Sequence, residues 1–326
     1  VAGILGEHEA SIFQERVLVS EKALPTMRRV RARHLAKYDD GVEPAWLAVP
    51  ANECGEISGI TVHAVTGYGL PDVISVDGKP CGRRLRQGQR TLVTGSGLQG
   101  DGPDAPTQAR QMLAMAEILL SRAGGSLQDV VRTWMWLGHI LDWYGDFNRV
   151  RSELFRARGL LRADGSGRLP ASTGIGIGPS GGRHCSMDLA AEIGNGRPRL
   201  LLKAGRQGSA SKYGSAFSRA AVTATPYGEK VYVSGTASID AAGNTTHLDD
   251  AAGQIAETFN CVNAVLREAG CEMEDVVQAL VYCKTPEVER IFREQWGNFP
   301  IPYVLAVTDV CRDDLLFEVE CTAIAR

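Results

Sequence analysis

Two long stretches of the chain show the hydrophobic spacing of amphipathic helices. At 107–123 and again at 249–269, apolar residues recur at intervals of three and four, which places them on one face of a helix. A glycine follows each stretch, at Gly124 and Gly270, as is common where helices end. The pattern predicts two helices of similar length, each the first helix of a structural unit.

Shorter β-rich segments and a second helical segment follow each of these helices. In the second unit, the strands are predicted at 231–234, 276–282, 302–310 and 315–323, and the second helix at 286–296. We expect 302–310 and 315–323 to form a hairpin, with a short turn at 312–314. The order ββαβαββ predicts an α+β sandwich, in which helices pack on one face of a mixed sheet.

The second unit is an imperfect copy of the first. Val231-Tyr-Val-Ser-Gly235 corresponds to Leu92-Val-Thr-Gly95, and Asp275-Val-Val277 corresponds to Asp129-Val-Val131. We therefore divide the chain into three parts. Residues 1–88 form an N-terminal extension that packs on the first repeat, residues 89–200 form the first repeat, and residues 201–326 form a linker with the second repeat.

The closing strands of the two copies carry different acids. They read Met187-Asp-Leu189 and Phe317-Glu-Val-Glu320, so Asp188 is predicted to correspond to Glu318. We expect the first repeat to be a scaffold and the second to carry the active site.

Composition and charge narrow the range of functions. With 326 residues, 44% hydrophobic residues and a net charge of −3, the chain has the profile of a globular protein without a basic stripe, which argues against nucleic acid as a partner. No apolar run approaches the roughly 20 residues of a membrane span, and no signal-peptide pattern is present. We expect a cytoplasmic protein with no membrane partner, either a monomer or a homo-oligomer.

Cysteines and histidines show no metal-binding pattern. The eight cysteines are scattered without a C-x-x-C pair, and the six histidines lack ligand spacing. We therefore expect reduced thiols, no metal site and no other cofactor.

The second repeat resembles the YjgF/RidA family of enamine/imine deaminases. The resemblance rests on the strand 231–235, the helix end at Gly270, the segment 275–277 and the closing segment 317–320. It implies tandem YjgF/RidA-like (chorismate-mutase-like) repeats. Two such units with an N-terminal extension resemble the chorismatase family, as do Arg168-Leu-Pro-Ala-Ser-Thr-Gly174 and Phe217-Ser-Arg-Ala220. That second resemblance implies a small-molecule substrate, chorismate, and release of pyruvate.

One position departs from the deaminase pattern. Those enzymes carry a carboxylate-binding arginine after a proline loop, and the corresponding place here is Tyr303. The missing arginine favours chorismatase over imine deaminase, and it makes Tyr303 a candidate substrate contact.

Glu318 is the candidate proton donor. Strand alternation puts it on the same face as Glu320, with Phe317 and Val319 opposite. Without the resemblance, the favoured interpretation places both glutamates on the solvent-facing side of an antiparallel sheet. The resemblance implies that Glu318 is the pocket acid, and burial would keep such an acid protonated near neutral pH.

Cys311 is the second catalytic candidate. In the expected hairpin it lies across the turn from Glu318, where cross-strand Cβ atoms are only about 5 Å apart. A free cysteine is usually a small buried hydrophobe. In chorismatases, a cysteine here resembles the branch that makes 3-hydroxybenzoate, where a thiol or thiolate assists aromatisation.

Arginines and a tyrosine–lysine pair are candidates for substrate binding. A guanidinium matches a carboxylate bidentately, so we predict that Arg219 and Arg168 bind the two carboxylates of chorismate. Tyr213 and Lys212, in a glycine-flanked linker, are predicted to contact a ring hydroxyl or a carboxylate. The predicted function is conversion of chorismate to 3-hydroxybenzoate and pyruvate. The alternatives are a hydrolytic chorismatase, an imine deaminase and a non-catalytic small-molecule-binding protein.

Overall fold

Matched helix signals start and stop the first helix of each repeat. The structure, a computed structural model, describes residues 1–194, 196–225 and 228–325. Helix α3 (Ala105–Ala123) begins after Asp104, whose side chain accepts a hydrogen bond from Thr107 N, and helix α5 (Ala251–Ala269) begins after Asp250 in the same way. Both end at a glycine with positive φ, 88° at Gly124 and 92° at Gly270. The same local chemistry therefore builds both copies, as predicted.

The first repeat is a six-stranded mixed sheet in the order β4-β5-β6-β10-β7-β8. Its helices α3 and α4 (Ile140–Ala157) bury apolar residues in a single core with one face of that sheet. Strands β4 and β5 belong to this sheet, so it begins at Asp72, before the expected boundary at residue 89. The six strands are β4 (Asp72–Val76), β5 (Lys79–Gln87), β6 (Arg90–Leu98), β7 (Val130–Leu137), β8 (Ala171–Ile175) and β10 (Cys185–Gly194).

The second repeat repeats this design in the order β11-β12-β13-β16-β14-β15. Helices α5 and α6 (Pro286–Trp296) cover one face. The predicted terminal hairpin is wrong, because β14 lies between β15 and β16 and pairs with both. The strands are β11 (Arg199–Leu201), β12 (Ala220–Thr225), β13 (Gly228–Ala237), β14 (Val276–Cys283), β15 (Tyr303–Val307) and β16 (Phe317–Ala325).

The N-terminal extension forms a third, four-stranded sheet that contacts both repeats. Towards the first repeat, Gln14 Nε2 donates to Gly95 O at 3.0 Å. Towards the second, Gly59 packs so closely on Val304 that a Cβ there would lie 2.6 Å from a Val304 methyl carbon. The sheet runs β3-β1-β2-β9, and the extension contains α1 (Ala2–Glu7), β1 (Ser11–Val19), α2 (Leu24–His34), β2 (Ala45–Ala48) and β3 (Ile57–Val65), with β9 (Gly178–Pro179) added from the first repeat.

The faces of the three sheets that point away from the helices share one core. Leu47, Trp136 and Tyr282, one from each sheet, lie in the same buried cluster. Two buried ion pairs cross this core: Arg16 Nε lies 2.6 Å from Asp188 Oδ2, and Arg132 Nη2 lies 2.7 Å from Glu320 Oε2. Inward-facing tryptophans and acids therefore join the three sheets in one core. No helix in the described part of the chain is both long and apolar enough to cross a membrane.

We expect Arg132→Met to reduce the free energy of unfolding by about 3–5 kcal/mol, because it leaves the Glu320 carboxylate buried without its cation. Urea denaturation measures the loss. The matched control is Arg290→Met, since Arg290 is half-exposed and forms ion pairs on the surface with Glu287 and Glu294. That control should cost at most about 1 kcal/mol. Equal losses in the two variants would contradict a structural role for the buried pair.

Candidate active site

A cavity of about 250 Å³ lies where the two repeats meet. Strand β8 of the first repeat approaches β13 of the second at this seam: Ser172 N donates to Ser234 Oγ at 2.8 Å, and Gly235 N donates to Thr173 Oγ1 at 3.0 Å. The cavity takes side chains from both copies, so neither repeat alone could form it.

Glu318 lies near the start of β16 and points into this cavity. Its neighbours Phe317 and Val319 face the helices in the apolar core, so alternation turns the glutamate to the inner side, where it is 5% exposed. No side chain or backbone group among the described residues hydrogen-bonds to its carboxyl. Burial, with a smaller contribution from Glu320, raises the pKa of Glu318 to about 8. At neutral pH this acid therefore carries its proton.

Cys311 lines the same cavity, although by a different route from the one predicted. It lies in the loop after β15, which crosses the end of β14 to reach β16. Gln254 on α5 holds this loop: its Nε2 donates to Asp314 O and its Oε1 accepts from Leu316 N, both at 2.8 Å. Burial, followed by the nearby Glu318, raises the pKa of Cys311 to about 12, so the group is a neutral thiol at pH 7.

Three arginines line the cavity, and none of them forms an ion pair within the described ranges. The buried Arg219 donates from Nε and Nη2 to Gly208 O at 3.0 and 2.8 Å. Arg151 projects from α4, and its buried Nε has no hydrogen-bond partner among the described residues. Arg312 donates from Nη1 to Gly243 O at 2.6 Å. With Glu318 neutral, the cavity carries a surplus of positive charge that suits an anionic ligand.

Two tyrosines flank these cations. The guanidinium carbons of Arg219 and Arg312 lie 5.5 and 5.0 Å from the centre of the Tyr213 ring. Tyr144 on α4 also lines the cavity, and burial raises its pKa to about 12, so it remains a hydroxyl donor. The aromatic rings provide a flat wall beside the cations, as a ring-shaped ligand would require.

The structure places three of the predicted binding residues outside this cavity. Lys212 is exposed on the short 3₁₀ helix that carries Tyr213. Arg168 donates to Gln128 O before the start of β8. Tyr303 lies at the start of β15, edge-on to Phe292 at 5.4 Å between ring centres. Its position was inferred from a hairpin that does not form, and the other two are separated from the cavity by the direction of their side chains.

Glu320 and Asp188 belong to the shared core. Glu320 accepts hydrogen bonds from Arg132 Nη2 and Trp134 Nε1, both at 2.7 Å. Asp188 accepts hydrogen bonds from Arg16 Nε of the N-terminal extension and, at 3.2 Å, from Trp136 Nε1 of its own repeat. Both acids have a full set of cationic and indole donors, which fits a structural role. No group of three or more possible metal-ligating side chains occurs among the described residues.

Sequence reasoning missed several residues of the cavity. Arg151 follows Phe147 by four positions and therefore shares its buried helix face. This spacing indicates a functional arginine, because an arginine on an apolar helix face needs a partner or a ligand. Gly235 packs directly on the Glu318 carboxyl, and a Cβ there would overlap it. Tyr144 and Arg312 gave no distinctive signal.

Comparisons with known proteins agree with this architecture. Residues 210–325 match the family model described as Endoribonuclease L-PSP. A solved chorismatase structure is similar over 87% of this chain and 88% of its own, with 20% sequence identity and a TM-score of 0.63. The predicted α+β fold built from repeated YjgF/RidA-like units is confirmed.

Smaller proteins match part of the chain. A putative endoribonuclease from Thermotoga maritima has 16% identity and a TM-score of 0.31, covering 39% of this chain and 98% of its own. A putative endoribonuclease L-PSP from Entamoeba histolytica has 22% identity and a TM-score of 0.31, with the same two coverages. No curated protein sequence matches the chain.

Proposed function

We propose that the chain is a chorismatase that converts chorismate to 3-hydroxybenzoate and pyruvate without a metal or organic cofactor. The observation that carries the proposal is a buried, protonated Glu318 in one cavity with Cys311 and three arginines that have no acidic partner among the described residues. The likeness of the fold to a chorismatase over most of both chains supports it.

The charges of the cavity suit the substrate. Chorismate carries two carboxylates on a cyclohexadiene ring and its enolpyruvyl side chain. Arg151, Arg219 and Arg312 offer guanidinium groups that match carboxylates, and binding two carboxylates would leave one cation to offset charge that develops during reaction. The rings of Tyr144 and Tyr213 supply a flat wall for the substrate ring.

Proton transfer from Glu318 starts the proposed reaction. Its carboxyl gives a proton to the vinyl methylene carbon, and the enol ether becomes an oxocarbenium ion. The C4 hydroxyl oxygen then attacks C3 as the bond from C3 to the ether oxygen breaks, which releases pyruvate and leaves an arene oxide. The hydroxyl proton returns the Glu318 carboxylate to its acid form, so the enzyme ends the step unchanged.

Cys311 is assigned to the second stage. Because its pKa is raised to about 12, the side chain enters the reaction as a thiol rather than a thiolate. A thiol can donate a hydrogen bond to the epoxide oxygen as that ring opens. The C4–O bond breaks, the oxygen takes up the thiol proton, and the resulting thiolate accepts the proton lost from C3, which gives 3-hydroxybenzoate and restores the thiol.

Incubation of the protein with chorismate, with products separated by chromatography, tests the proposal. We expect equal amounts of pyruvate and 3-hydroxybenzoate. Absence of pyruvate would refute the enzymatic assignment. Pyruvate with a non-aromatic dihydroxycyclohexadiene carboxylate would instead favour the hydrolytic alternative and refute the role of Cys311.

We expect Cys311→Ala to keep pyruvate release within about tenfold of the unmodified protein and to lose most of the aromatic product, because protonation by Glu318 precedes the step that the thiol assists. Product ratios from the same chromatographic assay measure the change. Cys54→Ala is the control, since Cys54 is exposed, does not line the cavity and instead accepts a hydrogen bond from Arg293. An unchanged yield of 3-hydroxybenzoate from Cys311→Ala would remove the thiol from the mechanism.

A further inference from the structure

A second, larger cavity of about 590 Å³ opens between the N-terminal sheet and the second repeat. It shares no lining residue with the candidate active site. Lys230 and Ile324 pair at its rim, whereas Ala237 and Glu318 pair at the other end of the same two strands. With a rise of about 3.3 Å per residue, the stretch of β16 between Glu318 and Ile324 spans roughly 20 Å. The two cavities therefore lie at opposite ends of the shared core.

The charge of this second cavity is one-sided. Neither Asp nor Glu occurs among its lining residues, whereas Lys230 and Arg16 do. Lys230 forms no ion pair with any residue in the described ranges. Arg16 uses Nε for Asp188 and Nη2 for Gln14, which leaves Nη1 without a hydrogen-bond partner in the same part of the chain. An anion entering here meets an uncompensated ammonium group.

A buried hydroxyl and a neutral imidazole belong to the polar part of the cavity, together with Gln278, Tyr303 and Thr322. Thr61 is 6% exposed, and its Oγ1 has no hydrogen-bond partner among the described residues. Leaving a buried hydroxyl unpaired is costly, so a ligand atom there would be stabilising. Burial, together with the positive charges of Lys230 and Arg16, holds the pKa of His63 well below its usual range, so His63 adds no positive charge of its own. Together these groups offer one full charge and two or three short-range donors.

Large apolar surfaces lie beside these polar groups. Trp134, Tyr232 and Val304 form walls of the cavity. An adjoining, mostly apolar recess of about 270 Å³, lined by residues such as Leu92 and Val131, shares His63, Lys230 and Tyr232 with it. The carboxylate of Glu192, which also lines the recess, is paired with Arg90. A ligand held at Lys230 can therefore bury an apolar body beside its charged group.

We propose that this cavity is a second small-molecule site, which binds an organic carboxylate with an apolar body. A carboxylate matches the charge better than a phosphate monoester, because Lys230 is the lining cation without an ion pair among the described residues and Arg16 is already paired with Asp188. The proposal does not depend on the reaction catalysed at Glu318.

Benzoate, benzamide and acetate separate the parts of this proposal. Titration of the full-length protein is followed by NMR through the indole N–H signal of Trp134, which is assigned with Trp134→Phe. We expect benzoate to shift this signal saturably and to bind at least about tenfold more tightly than benzamide, which lacks the charge, or acetate, which lacks the apolar body. Benzamide or acetate binding as tightly as benzoate would overturn the proposed ligand class.

Two variants locate the binding. Lys230→Met should weaken benzoate binding at least about tenfold and leave benzamide unaffected, and Thr61→Val should weaken benzoate by a smaller factor while keeping the side-chain shape. Lys203→Met is the matched control, because Lys203 is exposed and outside the cavity. Arg219→Met, in the candidate active site, should leave the Trp134 titration unchanged. The site is disproved if benzoate leaves the Trp134 signal unmoved, or if Lys230→Met binds it as the unmodified protein does.

Discussion

Glu318→Gln is expected to reduce the rate of pyruvate release from chorismate at least about 10²-fold. Glutamine fills nearly the same volume and keeps the cavity shape, but it has no proton of suitable acidity to give to the methylene carbon. Positioned general acids contribute about 10²–10⁴-fold to rates, which sets the expected size. Steady-state assays at saturating chorismate measure the loss, and binding of an unreactive dicarboxylate analogue should persist.

The pH dependence of the same reaction gives an independent check. Because burial raises the pKa of Glu318 to about 8, the proton-carrying form predominates at pH 7, and kcat/KM should fall as pH rises through about 8. The stability linkage has the same sign: a carboxyl whose folded pKa exceeds its unfolded value of 4.5 stabilises the fold fully below pH 4.5, and this contribution is lost progressively as pH rises towards 8.

Glu320→Gln is the control for this profile. Glu320 contributes to the raised pKa of Glu318 through its negative charge, so removing that charge should move the falling limb below pH 8 while the Glu318 proton donor remains. A Glu318→Gln protein that retains the full rate, or a wild-type profile without a limb near pH 8, would exclude Glu318 as the donor.

The sequence predicted the repeated fold because the signals for it are local. The aspartates before α3 and α5 and the glycines after them are readable from a few neighbouring residues, and they mark both copies in the same way. The sheet face on which Glu318 lies could also be predicted from nearby residues, since strand alternation and apolar neighbours determine it. The burial of Glu318 could not, because it depends on the first repeat lying against that face.

Residues of the cavity that sequence reasoning missed are brought there by long-range pairing. Arg151, for example, comes from a helix of the first repeat. Cys311 was predicted, but it reaches Glu318 because β14 pairs between β15 and β16 and Gln254 anchors the connecting loop. The expected hairpin correctly placed Cys311 near Glu318, although that hairpin does not form. The same assumption wrongly placed Tyr303 in the cavity. Adjacency in the chain also suggested Lys212 beside Tyr213, yet only the tyrosine turns inward.

Gly235 is the position at which a single methyl group should most disturb the candidate site. Its hydrogen-bonded place opposite Thr173 fixes the backbone, and a Cβ built there overlaps Glu318 Oε1 and lies 3.0 Å from the carboxyl carbon. Thr173 Cγ2 also lies only 3.1 Å from this Cβ, so the methyl group is crowded by a second residue. The Glu318 carboxyl must therefore shift by an ångström or more in Gly235→Ala.

Such a displacement is expected to lower the rate of pyruvate release about 10²-fold, since misplacing a catalytic group by about 1 Å costs that much when proton transfer needs a fixed geometry. Gly174→Ala is the matched comparison: it lines the same cavity, but a Cβ there would meet its nearest atom, on Tyr144, at 3.4 Å, an ordinary contact. Its loss of rate should be much smaller. Thermal unfolding of both variants separates a shifted acid from a damaged fold. If Gly235→Ala retains the rate of the unmodified protein, the carboxyl position seen beside Gly235 is not the one that delivers the proton.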